Sequence, residues 1–444
     1  MNKHNVVLVV LLIVGVLGGF WVLQAPLYIS SDSTKYLLGA RFLSRGKGYI
    51  EFADGDFVVY NRRWPPAYSA FIALGVKAGL SEIQSARLVN FVAWCVLLVA
   101  WMAFFRRIFP PFWAAVAFFL TLLSWGLWNT LSWILSEVLF VAFLGLVGWS
   151  LTVAMSDKQA ASTRTRWLVL GALALMGVGL TRYAGLPILV ATGLAVLLAS
   201  EVSKRERLRA FLILAAIGWG GNILWMLRNK FLTGQATLVA TESVVGEFSK
   251  VEPSYISELW YRLWREAVGT PYRLADYLSH YVGWILLSFL AIIIMWHGRT
   301  HLRKLSFASI WVILSFIFYL AMLFILQTDD SRYLWVLQPF AVTILVKVMT
   351  FLHYQVRGKP LFSIMRCCYL VLAAILLLVA VTRFRRSILA VQEPFKRVPV
   401  FDNASFEPFR KSLWVFQWVK LNYRDGDLMF SNFPDFVYFV TDRP

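Results

Sequence analysis

Asp32 stands alone between Ser31 and Ser33 at the head of a polar stretch, YISSDSTKYLLGARFLSRGKGYIEFADGDFVVYNRRWPPAY, that runs from Tyr28 to Tyr68. Its plain reading is a helix N-cap, since Asp and Ser lead the residues that cap first turns. The other reading is a carboxylate kept for chemistry. Downstream, Gly46-Lys47-Gly48-Tyr49 and Gly55 are turn-makers, and two glycines alone are a weak phosphate-cradle signal. Trp64-Pro65-Pro66-Ala67-Tyr68 sets stiff, amphipathic residues where the chain returns to an apolar run. Asp54-x-Asp56 and Asp329-Asp330 are acid pairs able to hold a divalent cation, so metal dependence stays open, and no residue is assigned as a metal ligand. His297 and His301 have the spacing of a helical ligand pair, but they sit in a basic loop without a nearby acid, which argues against zinc. His280 reads as an interface residue.

Composition sets the class. The 444 residues are 59% hydrophobic and 15% charged, with a mean hydropathy of +0.66, where soluble domains average about 45–50% apolar and about 25% charged. The chain reads as a polytopic membrane protein. Its net charge of +19 is the excess that cytoplasmic loops of such proteins collect, not a nucleic-acid footprint. Cys95, Cys367 and Cys368 lie in or beside apolar runs with no metal spacing, as packing residues do.

The runs long enough to cross a core of about 30 Å are Val6 to Leu23, Ser85 to Phe105, Phe112 to Trp128, Trp133 to Met155, Trp167 to Leu180, Ala184 to Ser200, Leu208 to Leu227, Leu278 to Trp296, Leu305 to Leu326, Tyr333 to Leu352 and Cys367 to Thr382. That is an all-α bundle of about eleven spans. Val6 to Leu23 is too long for a signal h-region and lacks a small-x-small cleavage site, so it reads as a retained anchor. Ala67 to Leu80 is too short to cross and reads as a dip into the interface.

With that dip, the loops carrying Arg106/Arg107, Lys158/Arg164/Arg166, Lys204/Arg205/Arg207/Arg209, Arg299/Arg303/Lys304 and Arg357/Lys359/Arg366 all share the side of Lys3. The positive-inside rule makes that side cytoplasmic. Asp32, Glu137, Arg182, the loop 228–277, the turn Asp329 to Tyr333 and the tail then fall outside, on an inner membrane's extracytoplasmic face. Tyr36, Leu37, Ala40 and Leu43 recur at helical spacing, which describes a helix lying at the headgroup level. Ile256, Leu259, Trp260, Leu263, Trp264 and Ala267 describe a second surface helix over Ser254 to Val268.

Asp32-x-x-x-Tyr36, Gly46-x-Gly48-Tyr49 and Trp64-Pro65-Pro66-x-Tyr68 resemble the first outer loop of the polytopic GT-C glycosyltransferases, in the bacterial branch related to protein O-mannosyltransferases and the lipid A aminoarabinose transferase. LSEVLF, Leu135 to Phe140, is similar to that branch's Ser-Glu-Pro-Leu-Phe element, with Val138 in place of Pro. LTRYAGL from Leu180, WMLRNKFLTG from Trp225, DSRYLWVLQP from Asp330 and FSNFPDFVYFVTDRP from Phe430 resemble further signatures in the same order.

The resemblance implies transfer of a sugar from a polyprenyl-phosphate carrier to an acceptor hydroxyl on a glycan, lipid or protein, outside the membrane and with inversion. A phosphate leaving group is already a weak base, so one carboxylate that takes the acceptor's proton can suffice, with cations to hold the departing charge. Asp32 would be that base and Glu137 a second acid that binds sugar hydroxyls or assists the acceptor. Guanidinium forks match phosphate oxygens in pairs, which makes Arg182 and Arg332 the leading candidates, followed by Arg228, Arg62 and Arg63. Each of these has a bland reading as an interface arginine. Tyr36, Tyr49, Trp64, Tyr68, Tyr183 and Tyr333, all within the quoted motifs, would line the substrate pocket.

The chain thus divides into a transmembrane domain over 1–382, with outer loops at 25–66 and 228–277, and an extracytoplasmic segment over 383–444. In that segment Leu413 to Leu421 reads as a helix, with short strands at Leu428 to Phe430 and Val437 to Val440. Relatives continue past this point, so the tail reads as short or truncated. The rival classes are a flippase or transporter of lipid-linked sugars and a surface-glycan polymerase or ligase. Transporters show inverted repeats, broken helices and midplane polar groups, and the sequence has no internal repeat. Sugar, acceptor and oligomeric state are not legible.

Overall fold

The computed structural model describes residues 3–24, 27, 29–54, 57–156, 159–236, 306–326 and 331–356. The spans expected at Leu278 to Trp296 and Cys367 to Thr382, the surface helix at Ser254 to Val268, the three histidines weighed above and the tail all lie outside these residues. Among the described residues, four helices are long and apolar enough to cross a membrane, and several shorter apolar helices pack with them.

The first crossing is α1 (Lys3–Val22), an apolar rod without acid or base in its terminal turns. After it come α2 (Ser31–Ser44), a hairpin of β1 (Ile50–Asp54) and β2 (Phe57–Tyr60), and α3 (Ala67–Lys77). The hairpin, which patterning had not suggested, pairs antiparallel with Ile50 opposite Tyr60. Gly46 (φ 73°) and Gly48 (φ 88°) turn the chain into it, a left-handed geometry that side chains resist. At 11 residues, α3 is about 16 Å long. That falls well short of the apolar core, as expected for a dip.

The helix expected at the headgroup level is packed by protein on more than its apolar side. In α2, Ser33, Thr34, Tyr36, Leu37, Leu38, Ala40, Arg41 and Phe42 are all buried, so the polar face is packed as well as the apolar one. Two carboxylates from elsewhere make this feasible. Lys35 pairs with Glu51 of β1, and Arg41 Nε lies 2.8 Å from Glu82 Oε1. A buried cation is tolerable only when so paired.

The bundle proper begins with α4 (Glu82–Ile108), opened by a Ser81/Gln84 capping box. The run read as one span from Phe112 breaks into α5 (Pro111–Leu122) and α6 (Trp125–Leu131), because Ser124 caps a new helix start. There follow α7 (Glu137–Ala154), α8 (Ala161–Thr181), a 3-10 turn (Tyr183–Gly185) and α9 (Leu186–Leu198). Then α10 (Lys204–Ile213) continues through a π-helical stretch (Leu214–Trp219) into α11 (Gly220–Thr233). Last come α12 (Phe307–Leu326), α13 (Ser331–Trp335) and α14 (Gln338–Val356). The run expected from Tyr333 to Leu352 is therefore also broken, ahead of Pro339.

Small residues set the close approaches. A Cβ on Gly148 of α7 would stand 2.5 Å from Trp311 Cζ3, and one on Gly145 would stand 2.8 Å from Trp101 Cδ1. Three buried indoles find backbone or hydroxyl acceptors across helices: Trp94 to Gly15 O (2.9 Å), Trp101 to Val141 O (3.1 Å) and Trp311 to Thr192 Oγ1 (3.1 Å). Without water to bond them, such donors must be met within the protein.

The charged residues sort to two ends. At one end Arg164 donates to Ala154 O and lies 3.5 Å from Glu206, while Arg207 donates to Leu197 O. Glu137 opens α7 at the opposite end, beside Arg182, which caps the carboxy terminus of α8.

Candidate active site

The site is built at the end of the bundle where α7 begins and α8 stops. Ser30 provides the N-cap of α2, accepting from Ser33 N, while Ser33 Oγ accepts from Ser30 N. The capping box leaves Asp32 out of the capping task. Its carboxylate, in the first turn, instead faces Arg332 of α13, with Nη1 3.3 Å from Oδ2. Both side chains keep about a quarter of their surface open, 29% and 26% respectively.

A second pair lies deeper. Glu137, only 2% exposed, has Oε1 2.7 Å from Arg182 Nη1. That approach is a charge contact and not a well-directed hydrogen bond, and neither Glu137 oxygen has a hydrogen-bond donor. Arg182 also donates to Ser136 Oγ at 3.3 Å and lies 4.8 Å over the Tyr333 ring. Successive residues of α13, Arg332 and Tyr333, thereby engage the two acid–base pairs.

Tyr36 sits between them. Its hydroxyl is 2.9 Å from Ser136 Oγ, and its ring meets Tyr68 edge-on at 5.1 Å. Burial pushes the phenol's pKa well above its usual value; Arg182 opposes this, while Asp32 and Glu137 add to it. Tyr68 in turn donates to Asn90 Oδ1 (2.8 Å), and Asn90 Nδ2 to Trp133 O (2.7 Å). Ser69 of α3 donates to Tyr36 O (2.9 Å), which seats α2 against the dip.

The remaining candidates gather one step away. Tyr49 bonds Ser69 Oγ at 3.3 Å, and burial raises its pKa as well. Arg228 of α11 gives Nη2 to Tyr49 O (2.9 Å) and Nη1 to Asn61 O (3.1 Å), and stacks on Trp225 at 4.8 Å. Its donors thus hold both ends of the hairpin. Tyr183 donates to Arg62 O (2.6 Å) and accepts from Trp225 and Asn229. The Arg62 side chain, half-buried, has no ion pair or hydrogen bond among the described residues. Arg63 is exposed and rests 4.9 Å over the Trp64 ring.

Sequence reasoning missed Ser30, Ser136, Asn90 and Asn61. Ser136 lies inside the quoted LSEVLF motif, but a serine there carries no signal of its own. Among the described residues no cluster of three His, Cys, Asp or Glu is present, and Asp32 and Glu137 each face a guanidinium; of the acids weighed for a divalent cation, Asp56, Asp329 and Asp330 lie outside the described residues.

No protein-family model matches the sequence, and no curated protein sequence matches it either. Solved structures do. ArnT from Cupriavidus metallidurans in the apo state aligns with a TM-score of 0.60 at 14% identity, over 98% of this chain and 84% of that one. The same protein bound to undecaprenyl phosphate aligns at 0.55 and 14%, over 100% and 86%. The oligosaccharyltransferase AglB from Archaeoglobus fulgidus, in complex with an inhibitory peptide and a dolichol-phosphate, aligns at 0.57 and 13%, over 100% of this chain. The chain spans 64% of that enzyme's length. The architecture is thus the polytopic GT-C fold, in agreement with the resemblance carried by the outer-loop motifs.

Proposed function

We propose that this GT-C membrane protein is a glycosyltransferase that moves a sugar from a polyprenyl-phosphate carrier to an acceptor hydroxyl at the outer face of the membrane. The observation that carries the reading is the convergence of Asp32–Arg332 and Glu137–Arg182 around Tyr36, at the end of the bundle away from the basic loops. Titratable pairs brought from distant segments into one partly open site are what catalytic acids and bases require, and they support a functional reading. The neighbours bound to undecaprenyl phosphate and dolichol-phosphate support the carrier class.

The chemistry follows from the charges. The acceptor oxygen attacks the anomeric carbon from the side opposite the phosphate, its proton passes to Asp32, and the C–O bond to phosphate breaks with the electron pair leaving on phosphate. In-line displacement inverts the anomeric centre. Asp32 is the more exposed acid, which suits it to meet an incoming acceptor. When the donor phosphate engages Arg332, the guanidinium's hold on Asp32 slackens and carboxylate lone pairs become free to take the proton. Arg62, uncompensated among the described residues, supplies a further charge for the departing phosphate. Arg182 remains on Glu137, and Arg228 keeps the hairpin in place.

The test is to incubate the purified protein with a panel of polyprenyl-phosphate sugars and measure free polyprenyl phosphate. A transferase empties one carrier when an acceptor is present. A flippase releases none, and that result would sink the reading.

A further inference from the structure

The hydroxyls at the buried end of the site have a fixed polarity. Arginine can only donate, so the Arg182 Nη1 contact with Ser136 Oγ at 3.3 Å makes the serine oxygen an acceptor there. Ser136 is wholly buried, and its other contact is the Tyr36 hydroxyl at 2.9 Å. Either order leaves one buried hydroxyl proton without an acceptor inside the chain of contacts, so the surrounding charge decides. Ser136 Oγ already receives the Arg182 guanidinium, whereas Tyr36 lies in the field of Asp32 and Glu137, which draws a proton outward on that side. The favoured order is Arg182 to Ser136 to Tyr36, which leaves the phenol proton as the free end of the chain.

That free end lies in the field of Asp32 and Glu137. Burial keeps the phenol protonated, so it remains a donor at any working pH. Close by, Glu137 is a buried carboxylate whose two oxygens have no hydrogen-bond donor. A spare donor and a spare acceptor within one buried site are complementary to a group that is both at once. A hydroxyl is such a group. Water could fill the gap, but a site of this kind discriminates strongly against ligands that lack the hydroxyl, because its polar groups are then left unpaired. Depth decides whose hydroxyl it is. Asp32 lies at the open side, where an acceptor enters, whereas Glu137 is 2% exposed and sits farther in, where the donor's sugar ring would rest.

We propose that Tyr36 and Glu137 jointly read one hydroxyl of the donor's sugar, the phenol donating to its oxygen and the carboxylate accepting its proton, with Ser136 as the positioning residue that aims the phenol. This rests on the transferase reading above.

The experiment uses the full-length protein in detergent and whichever polyprenyl-phosphate sugar it empties, followed by the monodeoxy versions of that donor. Wild type should slow sharply at one deoxy position and not at the others. Tyr36→Phe should lose roughly tenfold in kcat/KM on the parent donor but nothing further on that one deoxy donor. Ser136→Ala should copy this pattern and Ser136→Thr should restore the parent rate. The proposal falls if Tyr36→Phe loses the same factor on every donor, which is what a merely structural role gives. It also falls if wild type accepts all the monodeoxy donors equally, an outcome that does not depend on the variants folding. Failure of wild type to empty any carrier would instead overturn the transferase reading itself, and this proposal with it.

Discussion

Arg332 Nη1 stands 3.3 Å from Asp32 Oδ2, an ion pair between residues 300 positions apart in the chain. The pair closes the site from the α13 side, while the Ser30–Ser33 box relieves Asp32 of any capping role. Asp32 is therefore dispensable for the helix and available for proton transfer.

Asp32→Asn should leave the fold intact and nearly silence turnover. A positioned base contributes typically 10²–10⁴-fold, so kcat is expected to fall by roughly that range, with a thermal midpoint close to wild type. Donor turnover and a melting curve in detergent check both halves. If the variant still transfers sugar at near the wild-type rate, another group is the base.

Gly148 and Gly48 make a paired structural test. A side chain at Gly148 meets Trp311 Cζ3 at 2.5 Å and Phe104 Cδ2 at 3.3 Å, both on rigid rings. Overpacking of this kind costs typically about 1–3 kcal/mol. Gly48 has open space, and a residue there meets only the strain of φ 88°, about 1–2 kcal/mol. Gly148→Val should thus lower the melting midpoint more than Gly48→Ala, and Gly48→Ala should loosen only the hairpin, as read by hydrogen exchange over residues 46–61.

Much of this was legible in the sequence, for identifiable reasons. Spans announce themselves because lipid demands long apolar runs, and Asp32, Glu137, Arg182 and Arg332 stood out as sparse polar residues on one expected face. The burial of α2 was not legible. Lys35 and Arg41 look like solvent-facing residues until Glu51 and Glu82 are brought to them from outside the helix, and no local pattern encodes such a meeting. The breaks at Ser124 and before Pro339 were read through because apolar composition does not register a one-turn interruption. Ser136 and Asn90 were invisible because a hydroxyl or an amide is ordinary until its partners are known.

Arg228→Ala should act on the outer loop before it acts on chemistry. Its guanidinium donates to Tyr49 O and Asn61 O, the two ends of the hairpin. Hydrogen bonds to a charged group contribute roughly 1.5–3 kcal/mol each, so their loss should free the hairpin. The expected result is faster exchange of the amides over residues 49–61 and a raised KM for donor, with kcat much less affected. A fall in kcat with unchanged KM and exchange would place Arg228 in the chemical step instead.

Glu137 and Arg182 offer the sharpest energetic test, because both are buried and their charges offset one another. Removing one partner of a buried pair strands the other and typically costs about 3–5 kcal/mol. Arg182→Met leaves the 2%-exposed Glu137 carboxylate without its cation, so it should depress the melting midpoint strongly. Adding Glu137→Gln to that variant removes the stranded charge, and part of the stability should return. Activity should not return with it, since the hydroxyl-reading carboxylate is gone. Recovery of stability without turnover separates the pair's role in the fold from its role at the substrate. Additive destabilisation in the double variant would show instead that the two side chains do not share a charge contact.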